Sequence, residues 1–363
     1  MKKLLLSLCM ALALTACKDE QKASPQADKR PVVKIGVMLP LSGEMAEFGQ
    51  NSLYAVEFAK EDHKNSPIKF DIVFEDDTFT PSRAAVIANK LISVDKVDAI
   101  VTSFSPVGSA VSPIADKAKV LHIGLSNAAN IAEGELNFTN WQELDIAAKK
   151  LVDYLVSQNV KKVASFNMET VGNEEMRVKT NQFLDENGIE YEDFYFNPEN
   201  RDFAMMVQKA VAFGADYWIL NSFSPGQDIL RKEMIEHKID IPVVNIQCMK
   251  LSKNPQLFEN QVFVDAPDGS KDFRERMSQK TTSKVLNIPA YAYDIVNLIM
   301  LANEDFYAKN GRVPNDYELA DTLKKTKYYQ GVVGELEVQN NGVIKSPSVV
   351  KKIINGQPVE IEE

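Results

Sequence analysis

The sequence predicts an α/β protein built from two open lobes. Three observations predict it. Short apolar runs recur along the chain, each closed by Pro, Gly or small polar residues and followed by a helical pattern, which is the mark of βα units in a parallel sheet. These runs fall into two series, one from Val33 to Ile123 and one from Val160 to Ile246, so the chain holds two α/β halves. The chain has 363 residues, and 347 remain once a 16-residue leader is set aside, more than one core usually supports.

The leader is Met1 to Ala16. Lys2 and Lys3 form a basic start and Leu4 to Leu14 an apolar run too short to span a bilayer. It ends in Leu14-Thr15-Ala16-Cys17, which resembles a bacterial lipobox, where the Cys is lipidated and becomes the mature N-terminus. An ordinary secretory peptide with a chance Cys is the other reading. Residues 17–31 are polar, with Pro25 and Pro31 and no apolar periodicity, and read as a flexible tether. Beyond the leader no stretch is long and apolar enough to cross a membrane.

Val33 to Leu39 is the first strand. It breaks at Pro40 into a turn with Ser42 and Gly43, and a helix runs from about Ala46 to Asp62. Ligands of open α/β sheets collect at the carboxyl ends of strands, so Ser42, Gly43 and Phe48 stand where a ligand would stand. Phe48 can equally pack on the sheet. Lys69 to Phe74 is the second strand; Glu75, Asp76 and Asp77 after it are of a kind that can bind sugars or metals at a strand's end, but they are expected to cap a helix from Ser82 to Ser93. Asp98 to Thr102 leads into Ser103-Phe104-Ser105-Pro106-Val107-Gly108-Ser109. Pro106 suits the first helical position. Free N–H groups there, with the hydroxyls of Ser103, Ser105 and Ser109, make an anion site fit for a carboxylate, a role compatible with plain serine capping. Pro113 requires that helix to kink or start late. Val120 to Ile123 closes the series at Gly124-Leu125-Ser126-Asn127.

The second series opens with a helix, Ala147 to Gln158, then a strand, Val160 to Phe166. A helix from Glu175 to Asn187 stops at Gly188, Tyr191 to Phe196 is a strand, and a helix from Asp202 to Phe213 is closed by Gly214. The strand Ala215 to Asn221 opens into Ser222-Phe223-Ser224, and the helix Asp228 to His237 precedes the strand Pro242 to Ile246. Then the pattern changes. Val262 to Asp265 is a short strand, Asp272 to Gln279 a helix, Pro289 to Tyr307 a long amphipathic helix and Tyr317 to Thr326 another. Val332 to Val338 and Val343 to Lys352 read as a hairpin turned on Asn341-Gly342.

Composition narrows the function. Without the leader's two lysines, 39 basic residues (41 less 2) face 51 acidic ones, a net of −12. That argues against nucleic acid and anionic membrane surfaces as partners. Cys248 is the only thiol of the body, and His63, His122 and His237 are scattered, so no metal site is indicated and no cofactor is implied. No GxSxG elbow, P-loop or Rossmann glycine triplet is present, which argues against an enzyme.

The order of these segments resembles the periplasmic leucine/isoleucine/valine-binding family, the type 1 solute-binding proteins of ABC importers. KIGVMLPLSGEMAEFGQ, VTSFSPVGSAVSPIADKAKVLHIGLSNAA, RDFAMMVQKAVAFGADYWILNSFSPGQDILRKEM, PAYAYDIVNLI and GVVGELEVQNNGVIKSPSVVKKI carry the resemblance across Val32 to about Ile361. A lipobox leader is familiar in this family. The resemblance implies two lobes of the type I fold, joined by three crossings and hinged to close on one ligand. The N-terminal lobe would be 32–141 plus 270–333, the C-terminal lobe 142–269 plus 334–363. It further implies a lipid-anchored receptor on the periplasmic or extracellular face, with an ABC permease as partner, or a sensor of the same fold.

Carried over by position, Phe48 matches an aromatic wall, Ser105 the serine that holds the ligand carboxylate, and Ser126 and Ala128 the loop that completes that site. Phe223 matches an aromatic that covers the ligand from the second lobe. Val171 sits where amino-acid binders often place an aromatic, and Gln247 near where many supply an acid for the ligand's ammonium. The carboxylate half of an amino-acid site is thus kept, while its ammonium half lacks an acid near Gln247. A buried ammonium without such a partner is costly to desolvate. Phe48, Phe223, Met168 and Tyr291 suggest an apolar cleft, and Glu169, Asp265 and Asp294 are further acids that could supply a charge. The ligand expected first is a branched-chain or other hydrophobic amino acid. The alternative is a small carboxylate or amide lacking the amine.

Overall fold

The computed structural model describes residues 28–126 and 128–361. The leader and Cys17 lie outside the described residues. Residues 28–30 belong to a unit separate from the body, which begins at Pro31. In them the Arg30 guanidinium pairs with the Asp28 carboxylate at 2.7 Å.

The body opens with β1 (Val32–Leu39), α1 (Ala46–Asp62), β2 (Lys69–Asp76), α2 (Pro81–Lys90), β3 (Ala99–Ser103), α3 (Ser105–Ala118), β4 (Leu121–Leu125) and β5 (Asn137–Asn140). The second series is α4 (Leu144–Ser157), β6 (Lys162–Met168), α5 (Val171–Glu186), β7 (Glu190–Phe196), α6 (Ala204–Phe213), β8 (Tyr217–Asn221), α7 (Gly226–Glu236), β9 (Val243–Ile246) and β10 (Val262–Asp265). Then come α8 (Lys271–Ser278), α9 (Asn287–Asn310), α10 (Asp316–Thr326), β11 (Tyr328–Gly331), β12 (Gly334–Val338), β13 (Val343–Lys345), β14 (Val349–Ile354) and β15 (Gln357–Glu360).

These strands form two mixed sheets, one per lobe. The first runs β11-β12-β13-β5-β4-β3-β1-β2, the second β15-β14-β10-β9-β8-β6-β7. The parallel parts share one order: β2-β1-β3-β4-β5 repeats as β7-β6-β8-β9-β10. In each, the strand order reverses between the first and third strand. A ligand crevice forms at such a switch point, outside the carboxyl ends of the strands. Helices α8 to α10 follow the second series but pack on the first sheet: Phe273, Met277, Ile295 and Leu323 share a core with Ile35, Val101 and Phe138. Phe166, Phe194, Phe203 and Trp218 fill one side of the second sheet.

Several local expectations are corrected. Strand β5 was not foreseen, because Asn-Phe-Thr-Asn is short and carries no apolar alternation. It lies between β4 and β13, with Asn140 donating to the Ile344 carbonyl at 2.9 Å. The hairpin around Asn341-Gly342 forms, yet its second arm stops at Lys345. Pro347 has no N–H to continue a ladder. The chain then crosses to the second sheet as β14, so the third crossing falls between Lys345 and Val349 rather than after Val333. Glu75, Asp76 and Asp77 do not cap α2, whose N-cap Thr80 makes no side-chain capping bond. Asp76 instead accepts the Leu41 N–H at 2.9 Å and the Ser42 hydroxyl at 2.6 Å, clamping the turn after β1. Burial works against its charge, but these bonds hold its carboxyl below the usual range. The N-cap of α3 is Phe104, not a serine, and α3 runs through Pro113. Helix α5 starts at Val171, earlier than expected, because the Thr170 hydroxyl accepts the Asn173 N–H at 3.3 Å.

Candidate ligand-binding site

The first lobe's face of the cleft is built on strand ends. Ser105 opens α3 directly after β3, and Ser126 follows β4. Their hydroxyl oxygens lie 2.6 Å apart, and the Ala128 N–H donates to Ser126 Oγ at 2.9 Å. Neighbouring parallel strands therefore bring together two hydroxyls and a helix start, whose first N–H groups have no helical partner. This constellation suits a carboxylate. Phe104 joins strand to helix at φ +66°, a conformation rare for an aromatic residue. Its ring packs edge-on against Phe48 and Phe79, with centroids 6.5 and 5.4 Å away. Phe48 reaches this wall because α1 lies tight on the first turn. A Cβ at Gly49 would meet the Pro40 carbonyl oxygen at 2.1 Å, so only glycine permits the approach.

A cleft of about 450 Å³ opens here between the lobes. Met45, Phe48, Phe104, Leu125, Trp141 and Ile288 give it apolar walls, with Ser105 and Ser126 on one side and Gln247, Lys250 and Leu251 on the other. Trp141 packs at a tilt against Tyr291, which is fully buried and shares a hydrogen bond with Ser346 at 2.7 Å.

The second lobe's face carries charge. Gln247 follows β9 at φ +65°, its N–H held by the Val264 carbonyl at 2.7 Å, while its side-chain Nε2 is buried without a partner. Lys250 Nζ pairs with Asp265 at 2.5 Å. Asp265 also meets Lys351 Nζ at 3.0 Å, and Lys351 bridges on to Asp268 at 2.6 Å. Burial opposes the Asp265 charge, but Lys250 and Lys351 outweigh it and hold this carboxyl below its ordinary range. Positive φ at Phe104 and Gln247 places two strained residues on opposite faces of one cleft, where such strain is commonly found.

A smaller compartment of about 160 Å³ adjoins at Ser126 and Trp141. It is lined by Gln142, fully buried with both amide atoms unpartnered. The carboxylates there are engaged or solvated: Asp145 pairs with Lys179 at 2.9 Å, Glu143 faces Lys345 at 3.5 Å, and Glu175 is exposed.

Of the residues expected from sequence, Phe48, Ser105, Ser126 and Gln247 line the main cleft. Ala128 contributes through its N–H. Phe223 follows β8 and stands 41 % exposed, outside the lining. Val171 begins α5, and its side chain lies outside the described residues. Met168 and Tyr291 do not line the cleft, since both are buried in the lobes. Glu169 is exposed, and Asp294 faces away, accepting the Val332 and Val333 N–H groups at 2.7 and 3.0 Å. The sequence does not single out Trp141, Lys250 or Gln142. They sit on connections without periodicity, and nothing local marks them. Among the described residues there is no cluster of metal-ligating side chains and no helix long and apolar enough to cross a membrane.

The sequence profile of the periplasmic binding proteins matches residues 32–232, more than half of the chain. The chain belongs to the periplasmic binding protein family. Solved structures carry the likeness across the body of this periplasmic binding protein. A leucine-binding protein of Thermotoga maritima is 19% identical with a TM-score of 0.71, covering 91% of this chain and 98% of its own. A branched-chain amino acid ABC transporter periplasmic ligand-binding protein of Burkholderia xenovorans is 17% identical with a TM-score of 0.80, covering 91% and 94%. A solute-binding protein of an ABC transporter from Rhodopseudomonas palustris, in complex with 3,4-dihydroxybenzoic acid, is 18% identical with a TM-score of 0.71, covering 91% and 96%. At such identities the likeness concerns the fold, two α/β lobes of the type I arrangement. No curated protein sequence matches the chain.

Proposed function

We propose that this periplasmic binding protein is the receptor of an ABC importer, capturing a small acid with an apolar body between its lobes and delivering it to the permease. The observation that carries the reading is the hydroxyl pair of Ser105 and Ser126 at the start of α3, facing a cleft walled by Phe48, Phe104 and Trp141. The related folds support it, since one is a leucine-binding protein and another is a solute-binding protein of an ABC transporter in complex with 3,4-dihydroxybenzoic acid. Of the two ligand classes expected from sequence, the cleft favours the acid lacking an amine. Among the described residues no carboxylate lines it, whereas Lys250 does. Lipobox-like Leu14-Thr15-Ala16-Cys17 supports a lipid anchor at Cys17, and the family supports an extracytoplasmic location. Cys17→Ser should release the protein from membranes into the soluble fraction.

A thermal-shift panel tests the ligand class on protein unfolded and refolded to strip bound solute. It pairs leucine, isoleucine and valine with their keto acids and amides and adds benzoate. Ligand at a hundred times Kd adds about 2.7 kcal/mol of stability, a shift of a few degrees. Shifts with the acids and none with the amino acids are expected. Shifts with the amino acids alone would establish an ammonium site and overturn this ligand class. For any acid that binds, Ser105→Ala removes a charge-assisted hydrogen bond worth roughly 1.5–3 kcal/mol, so calorimetry should read an affinity about tenfold weaker or more.

A further inference from the structure

The cleft has a second polar end, and it too is made of donors. Lys250 and Gln247 lie on the segment after β9, across the cleft from Ser105 and Ser126. Gln247 Nε2 carries two N–H groups and has no partner. Lys250 Nζ has three donors, and its bond to Asp265 uses one of them. Asp265 does not depend on Lys250 for neutralisation, because Lys351 and the Asn287 amide also reach it, at 3.0 and 3.3 Å. Lys250 can therefore turn its remaining N–H groups to a ligand without stripping Asp265 of all partners.

We infer that Lys250 and Gln247 form a second acceptor-binding pole, so that the ligand is a small acid carrying another acceptor, a carboxylate or carbonyl oxygen, at its far end. This deepens the receptor reading and rests on it. The pattern the cleft complements is acceptor, apolar body, acceptor. A distal ammonium would face a lysine and an amide N–H₂, both repelling it. A plain monoacid would leave the Gln247 amide and the spare Lys250 N–H groups desolvated and unmet, and sites built of polar groups reject ligands that lack the matching partner.

The test is calorimetry on the full chain with matched four-, five- and six-carbon probes: the monoacid, the α,ω-diacid and the ω-amino acid of each length. At one length at least, the diacid should bind about tenfold or more tighter than the monoacid, and the ω-amino acid should bind weakest. Lys250→Met should bring the diacid-to-monoacid ratio to about one. Gln247→Leu, which touches no ion pair, should lower the same ratio and keeps the inference testable if the lysine variant folds poorly. A monoacid that binds as well as its diacid at every length, a preferred ω-amino acid, or a diacid preference that survives both substitutions would overturn the inference while leaving the receptor reading intact. Failure of every acid, here and in the thermal panel, would overturn both.

Discussion

Asp265 and Asp294 are both buried aspartates, each tying together segments far apart in sequence, and they are held in opposite ways. Asp265 ends β10 and is met by Lys250 and Lys351. Asp294 lies within α9 and, among the described residues, accepts the backbone N–H groups of Val332 and Val333. At Asp265 burial raises the carboxyl, but the two lysines outweigh it and hold the carboxyl below its ordinary range. At Asp294 burial prevails over the two backbone bonds and pushes the carboxyl up to about 7. A buried carboxylate thus keeps its charge where cations are buried with it, while neutral donors alone do not suffice. The difference bears on function, because one of the cations recruited by Asp265 is Lys250, and it lines the cleft.

The largest expected effect comes from breaking the charged side of this comparison. Asp265→Leu leaves Lys250 buried without its ion-pair partner and Lys351 with Asp268 alone, and should destabilise the protein by roughly 3–5 kcal/mol. Urea unfolding checks this, and a loss under about 1 kcal/mol would show that the cluster does not anchor the lobe.

A pH profile sharpens the comparison. The folded pKa of Asp294, about 7, stands above its ordinary 3.8, so between these values the folded state binds more proton than the unfolded. Its contribution is fully present below about 4 and is lost as pH rises to about 7. Asp265 behaves oppositely: its folded pKa is lowered, so its contribution is present above 3.8 and lost as pH falls below that value. Asp294→Asn should flatten the decline between about pH 4 and 7, read from unfolding midpoints across that range. A decline of unchanged size would place its source in another group, with Asp77, also raised to about 6, next in line.

The smallest effect is expected at Gln142, a buried polar group with no charge at all. Gln142→Leu replaces an unpartnered amide with an apolar group of similar size. It should leave stability unchanged or raise it by about 1 kcal/mol, visible as a Tm equal to or slightly above that of the parent. A clear drop in Tm would mean that the amide is satisfied in solution.

Much of the fold was legible because its signals are local. Helix α1 was read with its observed bounds from a turn of Pro, Ser and Gly followed by helical spacing, and β10 from a short apolar run. The Ser105 turn could be picked out as a candidate anion site for the same reason, although its cap could not, since nothing in Ser-Phe-Ser-Pro announces that the aromatic takes the positive φ. Strand β5 escaped because its identity comes from neighbours on both sides, not from its own four residues. The third crossing moved for a related reason: β13 is held in the first sheet by pairing with β5, about 200 residues earlier in the chain.

By itself, the sequence determined the alternation of strands and helices, the division into two series and the serine turn. Periodicity, turn chemistry and the start of a helix depend on residues within a few positions of one another. Only the tertiary structure decided which groups face each other across the cleft. Lys351 reaches Asp265 across 86 residues, and Asp265 thereby shares the charge load that leaves Lys250 donors to spare. Such pairings follow from how two sheets are brought together by three crossings, a long-range outcome of burial and charge balance that no local stretch encodes.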